Sequence, residues 1–156
     1  MEWLALLGET PVARVLARSP ILYLFVNGAH ILSIGALFGS ILVLDLRLMG
    51  FLARLPLGPV AGTLWKISAA GLACAIFTGL LLFSVRPMEY LANPAFLTKL
   101  VLVALGIANA GFVHASRGWG RVLAGEPVPP LLRFTALLSL SVWVSAVIAG
   151  RWIGFL

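Results

Sequence analysis

The chain has 156 residues, of which 62% are hydrophobic and only 10% charged, with a mean hydropathy of +1.09. A soluble domain carries about 25% charged residues, so this balance excludes one and points to an integral membrane protein. The net charge of +6 does not indicate nucleic acid: the basic residues sit singly at the ends of apolar runs, where they anchor helices and meet anionic headgroups.

Residues 1–19 do not read as a cleavable signal, because a basic n-region is missing and Glu2 and Glu9 come early. Thr10-Pro11, followed by Val12, Val15 and Leu16, predicts a capped amphipathic turn, with Thr10 as N-cap, Pro11 as first helical residue and Arg14 and Arg18 on the polar side. This segment is expected to lie on the membrane surface, ahead of a transmembrane domain over residues 20–156.

Four apolar runs follow, at residues 21–44, 64–85, 95–115 and 131–150. A hydrocarbon core about 30 Å thick needs about 20 apolar residues in a helix, so each run spans. Period-2 alternation, the mark of a barrel, is absent, and unpaired backbone groups are not tolerated in lipid. The fold class is therefore all-α: a four-helix up-down-up-down membrane bundle with a short N-terminal interfacial helix. Ser19-Pro20, Asn93-Pro94 and Pro129-Pro130 open the first, third and fourth spans, placing proline where its missing N–H costs least. The second is expected to begin near Thr63, after a turn around Pro56 and Pro59. The loops are then 45–62, 86–93 and 116–129, short enough to make neighbours antiparallel.

In the first span Gly28, Gly35 and Gly39 form a small-residue stripe. His30 lies about ten residues in, on a face shared with Asn27, Leu37, Ile41 and Asp45 and nearly opposite those glycines at roughly 100° per residue. Asp45-Leu46-Arg47 reads as the interfacial end of this span, Asp45 acting as a cap or ion-pair partner. In the second span Gly71, Ala75 and Gly79 predict close backbone approach to another helix, and Cys74, the lone cysteine, reads as a small packing residue. The third span carries Lys99 near its start and His114 near its end, with Ile107, Ala110 and Gly111 beside His114 and Asn109 off that face. Trp119 reads as a headgroup-level anchor. Ser141, Ser145 and Ala149 in the fourth span read as interhelical contacts. Lys99 and Arg151 belong towards the surface where Glu89 and Tyr90 lie, a place that also suits a quinone headgroup or a lipid phosphate.

His30 and His114 are the candidate cofactor and metal ligands. Ionisable groups deep in a span are functional candidates, and a neutral imidazole can hold a metal through one nitrogen while the other donates to a carbonyl. Two histidines on different helices can ligate a haem iron. Depth bears against one shared haem: at about 1.5 Å per residue, His30 lies roughly 15 Å from the Pro20 end and His114 roughly 30 Å from Pro94 on the same side.

Asn27-Gly28-Ala29-His30, then Gly35, Gly39-Ser40 and Asp45-Leu46-Arg47-Leu48-Met49-Gly50 resemble a family of small bacterial inner-membrane proteins that is a domain of unknown function. Thr78-Gly79-Leu80-Leu81-Leu82-Phe83, Asn93-Pro94-Ala95-Phe96, Lys99, Asn109 and His114 extend the similarity over nearly the whole chain. The resemblance implies a four-helix bacterial inner-membrane protein and transfers no activity. In architecture and helix-borne histidines alone, the chain is also similar to b-type cytochrome subunits and copper-resistance membrane proteins.

The leading functional expectation is a b-type cytochrome-like subunit that holds haem b through His30 or His114 and passes electrons to quinone. A non-catalytic accessory subunit of a larger membrane complex follows closely. A small transporter or metal-uptake protein comes last, because no buried acid pair is evident. Soluble-enzyme motifs are absent, so the chain reads as a subunit rather than a stand-alone enzyme, with the lipid bilayer and other membrane subunits or further copies of itself as partners. Basic residues 47, 54, 66, 117, 121 and 133 against 14, 18, 86, 99 and 151 favour the first set as cytoplasmic and the termini as periplasmic.

Overall fold

The computed structural model describes residues 7–155, which are helical apart from turns and connections. The order is α1 (Pro11–Arg18), α2 (Pro20–Met49), α3 (Leu57–Val85), α4 (Pro87–Ala92), α5 (Pro94–Ala115), α6 (Arg117–Leu123) and α7 (Pro130–Trp152), ending in a 3-10 turn, Ile153–Phe155. Helices α2, α3, α5 and α7 are each long and apolar enough to cross a membrane, and the chain is a helical membrane protein.

The starts follow local chemistry. Thr10 Oγ1 accepts from Ala13 N at 3.3 Å, Ser19 Oγ from Leu22 N at 3.3 Å, and Asn93 Oδ1 from Ala95 N at 3.0 Å and Phe96 N at 3.3 Å. Each cap satisfies backbone N–H groups that the first turn leaves unpaired. Proline follows the cap in all three.

The first connection is shorter than expected. No breaker occurs at 45–47, so α2 runs on to Met49 and stops at Gly50, whose φ of 100° is the left-handed cap that glycine supplies. Pro59 does not hold the chain in a turn: it sits in the first turn of α3, where its missing N–H has no partner to lose. Asp45 is thereby moved from a helix end to more than a turn inside one. The other two connections each fold a short helix, α4 and α6.

Helix α2 is the hub, packing against α3 on one side and α7 on the other, while α5 packs on α7. In that order the bundle has one seam left, between α3 and α5, and these two do not pack along their length. Helix α1 covers the end of α3 and α2 with Ala13 and Leu16 buried. Helix α6 packs on α3 at the other end, burying Trp119 and Val122 with Leu44, Leu48 and Leu132. Gly71 sets the α2–α3 spacing: a Cβ there would meet Leu37 N at 2.8 Å and Ser33 O at 3.0 Å. Ala75 is buried and Gly79 abuts the His30 ring, so the expected small stripe of α3 is an interhelical contact.

Other small residues face outward. A Cβ at Gly28, Gly35 or Gly39 would meet nothing within 4 Å, and Cys74, Ser141 and Ser145 are exposed. The buried polar stripe of α7 is instead Thr135 and Ser139. The two exposed serines satisfy themselves on their own helix, Ser141 Oγ donating to Leu137 O at 2.9 Å and Ser145 Oγ to Ser141 O at 2.8 Å, which suits a lipid-facing surface.

Candidate functional site: a cleft between the second and third spans

Aromatic rings bridge the open seam at both ends. At one end Phe83 of α3 stacks on Phe96 of α5, 5.6 Å between centroids and 5° between planes, with Tyr90 5.2 Å from Phe96. Burial and the neighbouring Tyr23 push the Tyr90 phenol up to about 12. At the other end Trp65 of α3 meets the His114 ring edge-on at 5.3 Å, and Trp119 of α6 lies 4.6 Å from the same ring. Trp119 is therefore buried packing, not a headgroup anchor.

Between these bridges lies a cavity of about 330 Å³, open on one side. The opening accords with the missing α3–α5 contact. Helices α2 and α7 form its back, with Leu37, Ile41, Asp45, Thr135, Ser139 and Trp143. Trp65, Ser68 and Leu72 line it from α3, and Ile107, Asn109, Gly111 and His114 from α5. Mostly apolar walls with a few convergent polar groups, at the lower end of the roughly 300–1,000 Å³ range, are the usual make-up of a small-molecule site.

Asp45 is the unusual member. It is 5% exposed, and its Oδ2 has no hydrogen-bond partner among the described residues. The ion pairs seen among those residues join Arg14 to Glu9, Arg86 to Glu89 and Arg121 to Glu126, all exposed. The interfacial ion pair expected for Asp45 is thus replaced by a buried carboxyl at the cavity wall, its Oδ2 sealed from the cavity and Ser139 beside it. A buried polar group without a partner costs free energy.

Each imidazole has one hydrogen-bond partner, and for His114 that partner fixes the tautomer. His114 Nδ1 lies 2.8 Å from Ala110 O; a carbonyl only accepts, so Nδ1 carries the proton and Nε2 presents a lone pair. His30 Nδ1 lies 2.9 Å from Thr78 Oγ1, whose own hydrogen goes to Cys74 O at 2.7 Å. Thr78 Oγ1 thus lies within hydrogen-bond distance of both the His30 ring and its own helix backbone. Thr78, not Asn27, is the partner that His30 finds.

The two histidines are not brought together. His114 lines the cavity with Asp45, whereas His30 sits against Thr78 and Gly79 outside it. His30 precedes Asp45 by 15 positions on one helix, roughly 22 Å along its axis. The depth argument holds, and one haem between both rings is not formed by this arrangement. Among the described residues no three His, Cys, Asp or Glu side chains group as a metal site.

Several cavity residues carry no obvious signal in the sequence. Trp65, Ser68 and Trp143 look like ordinary span residues. Thr135 and Ser139 at i, i+4 offered one, the same spacing by which Ser141 and Ser145 drew attention to the outward face. Asn109, off the His114 face by helical phase, still lines the cavity while Nδ2 donates to Thr135 O at 3.2 Å.

No curated protein and no solved structure matches the chain. A family profile does, over residues 15–156, and the chain belongs to that family, described as a family of unknown function, DUF6644.

Proposed function

We propose that the cleft between α3 and α5 binds a lipid-soluble, ring-bearing ligand of the quinone class, and that the protein is a quinone-handling electron-transfer subunit of the bacterial inner membrane. The observation that carries this reading is one mostly apolar cavity, open on one side, that Asp45 and the His114 imidazole both line. A quinone partitions into the bilayer and reaches such a site laterally. Its flat ring suits walls made by Trp65, Trp119 and Trp143, and its ring oxygens suit the polar groups. The resemblance to small bacterial inner-membrane proteins supports the location, and the six-to-five distribution of basic residues supports periplasmic termini.

The three indoles supply the assay. Titrating the purified protein in nanodiscs with a short-tailed quinone, in both redox forms, should quench tryptophan fluorescence saturably. Asp45→Ala should weaken that binding. Linear, unsaturable quenching of the wild type by both forms would overturn the reading and leave the accessory-subunit role in front.

A second reading, haem b ligation, has its own support. His114 Nε2 is free while Nδ1 is held by a backbone carbonyl, the arrangement that orients metal-ligating histidines. A porphyrin would have to extend through the open side of the cavity. The reduced-minus-oxidised spectrum of protein from haem-replete cells tests this, and His114→Ala should abolish any haem bands.

A further inference from the structure

We infer a second site in the bundle, independent of the cleft: beside His30, the Lys99 ammonium holds a phosphate-type oxyanion. Lys99 lies on α5 five positions after Pro94, roughly 7.5 Å along the helix. It is half-buried, and the outer part of its side chain lies along the backbone of α7. A Cβ at Gly150 would meet Lys99 Cδ at 3.4 Å, Cε at 3.5 Å and Nζ at 3.6 Å, so the glycine leaves the amine its room. His30 of α2 rests on α3 in the same way, since a Cβ at Gly79 would meet its Cε1 at 3.2 Å. Lys99 is close enough to His30 for its charge to bear on the ring. Leu37, Leu72 and Val103, roughly one to two turns further along their helices, pack as an apolar layer beyond the pair.

The pair brings basic groups from two helices and no counter-charge. Glu9 and Glu89 are the described acids of this end, and they face Arg14 at 4.0 Å and Arg86 at 3.3 Å. Asp45 and Glu126 belong to the opposite half of the bundle. Lys99 has neither an acid partner nor a hydrogen-bond partner among the described residues. An ammonium left without a partner in an apolar span is costly, and an imidazole does not neutralise it. The group that completes the site is therefore an anion. Position selects phosphate. Lys99 is near the start of α5 and Gly150 near the end of α7, so the ammonium on its four-carbon stem comes within reach of the headgroup level. Lipid phosphate oxygens lie there, and lysine binds phosphate as a compact point charge. A lipid headgroup and a free phosphate both bring this chemistry.

The test follows the thermal midpoint of the full chain in a maltoside detergent, which carries no phosphate, through two titrations. One adds inorganic phosphate at constant ionic strength, balanced with chloride. The other adds phosphatidylglycerol to the micelles. At least one should raise the midpoint saturably, by about 5 °C or more once the anion exceeds its dissociation constant about a hundredfold. A response to phosphate alone identifies a free oxyanion as the ligand, and a response to phosphatidylglycerol alone a lipid headgroup. A response to both assigns the site to the phosphate group they share. Lys99→Met keeps the stem, removes the charge and should abolish the rise. Lys99→Gln provides the same comparison should the methionine variant fail to fold. No saturable rise in the wild type with either titrant, or a rise that persists undiminished in the folded Lys99 variant, would overturn the inference.

Discussion

Replacing Gly71 by alanine tests the helix spacing on which the cleft depends. The added Cβ would lie 2.8 Å from Leu37 N, 3.0 Å from Ser33 O and 3.1 Å from Leu37 Cα. All three atoms are backbone, so no rotamer change relieves the contact. Carbon atoms settle at about 3.5–4.0 Å, and a gap opened by 0.5–1 Å forfeits a quarter to a half of each neighbouring dispersion contact. Overpacking of this kind costs about 1–3 kcal/mol. Alanine returns up to about 1 kcal/mol through helix propensity, so with the full return the net loss is about 0–2 kcal/mol, and the gap from a substitution without the clash is the full cost of about 1–3 kcal/mol. Gly35→Ala on α2 isolates the propensity contribution, because its Cβ would meet nothing within 4 Å; it should be neutral or stabilising by up to about 1 kcal/mol. Unfolding in mixed detergent micelles, followed by helical circular dichroism, measures both. The reasoning fails if Gly71→Ala is as stable as Gly35→Ala, since α2 and α3 would then not be held at the spacing described.

Asp45→Asn should raise the thermal midpoint, because it replaces a buried carboxyl whose Oδ2 lacks a partner among the described residues; differential scanning calorimetry of the protein in nanodiscs measures this. Asn109→Ala should destabilise by about 0.6 kcal/mol, and by no more than about 1.7 kcal/mol, through loss of its bond to Thr135 O, measured by the same unfolding titration. Thr78→Val removes the hydroxyl partner of His30 Nδ1 and should cost about 1 kcal/mol or more. Phenolate absorbance of the folded Tyr23→Phe variant should show Tyr90 still titrating well above 10, since burial is the leading cause of its rise to about 12. A tyrosine raised from its ordinary 10 stabilises the fold below pH 10, and that contribution should disappear between pH 10 and about 12.

The spans were legible because run length and proline starts are local signals: Ser19-Pro20 and Asn93-Pro94 open helices where expected. Helical phase also placed His30, Leu37, Ile41 and Asp45 on one face, and Leu37, Ile41 and Asp45 are buried. What escaped was the order of helices around the bundle. Which of α3, α5 and α7 adjoins α2 depends on surface matching between helices, and hydropathy carries none of it. Hence Gly35 and Gly39 looked like contacts and face outward, whereas Gly71 has the same composition signal and lies at the tightest α2–α3 approach. Asp45 was misplaced for a local reason, since charged residues near the end of an apolar run look terminal whether or not the helix stops there. The site was half visible. His114 stood out by residue type, but its partnership with Asp45 across the seam depends on tertiary arrangement.

Photoaffinity labelling tests the central claim, that a quinone-class ligand occupies the cleft between α3 and α5. An azido-substituted quinone of short tail, photolysed with the protein in nanodiscs and mapped by peptide mass spectrometry, should label residues of the cavity wall such as Ile107, Gly111 and Trp65. An excess of the unlabelled quinone should suppress the labelling. Labelling spread over the lipid-facing residues Phe25, Leu32 and Phe77, undiminished by competitor, would contradict the account.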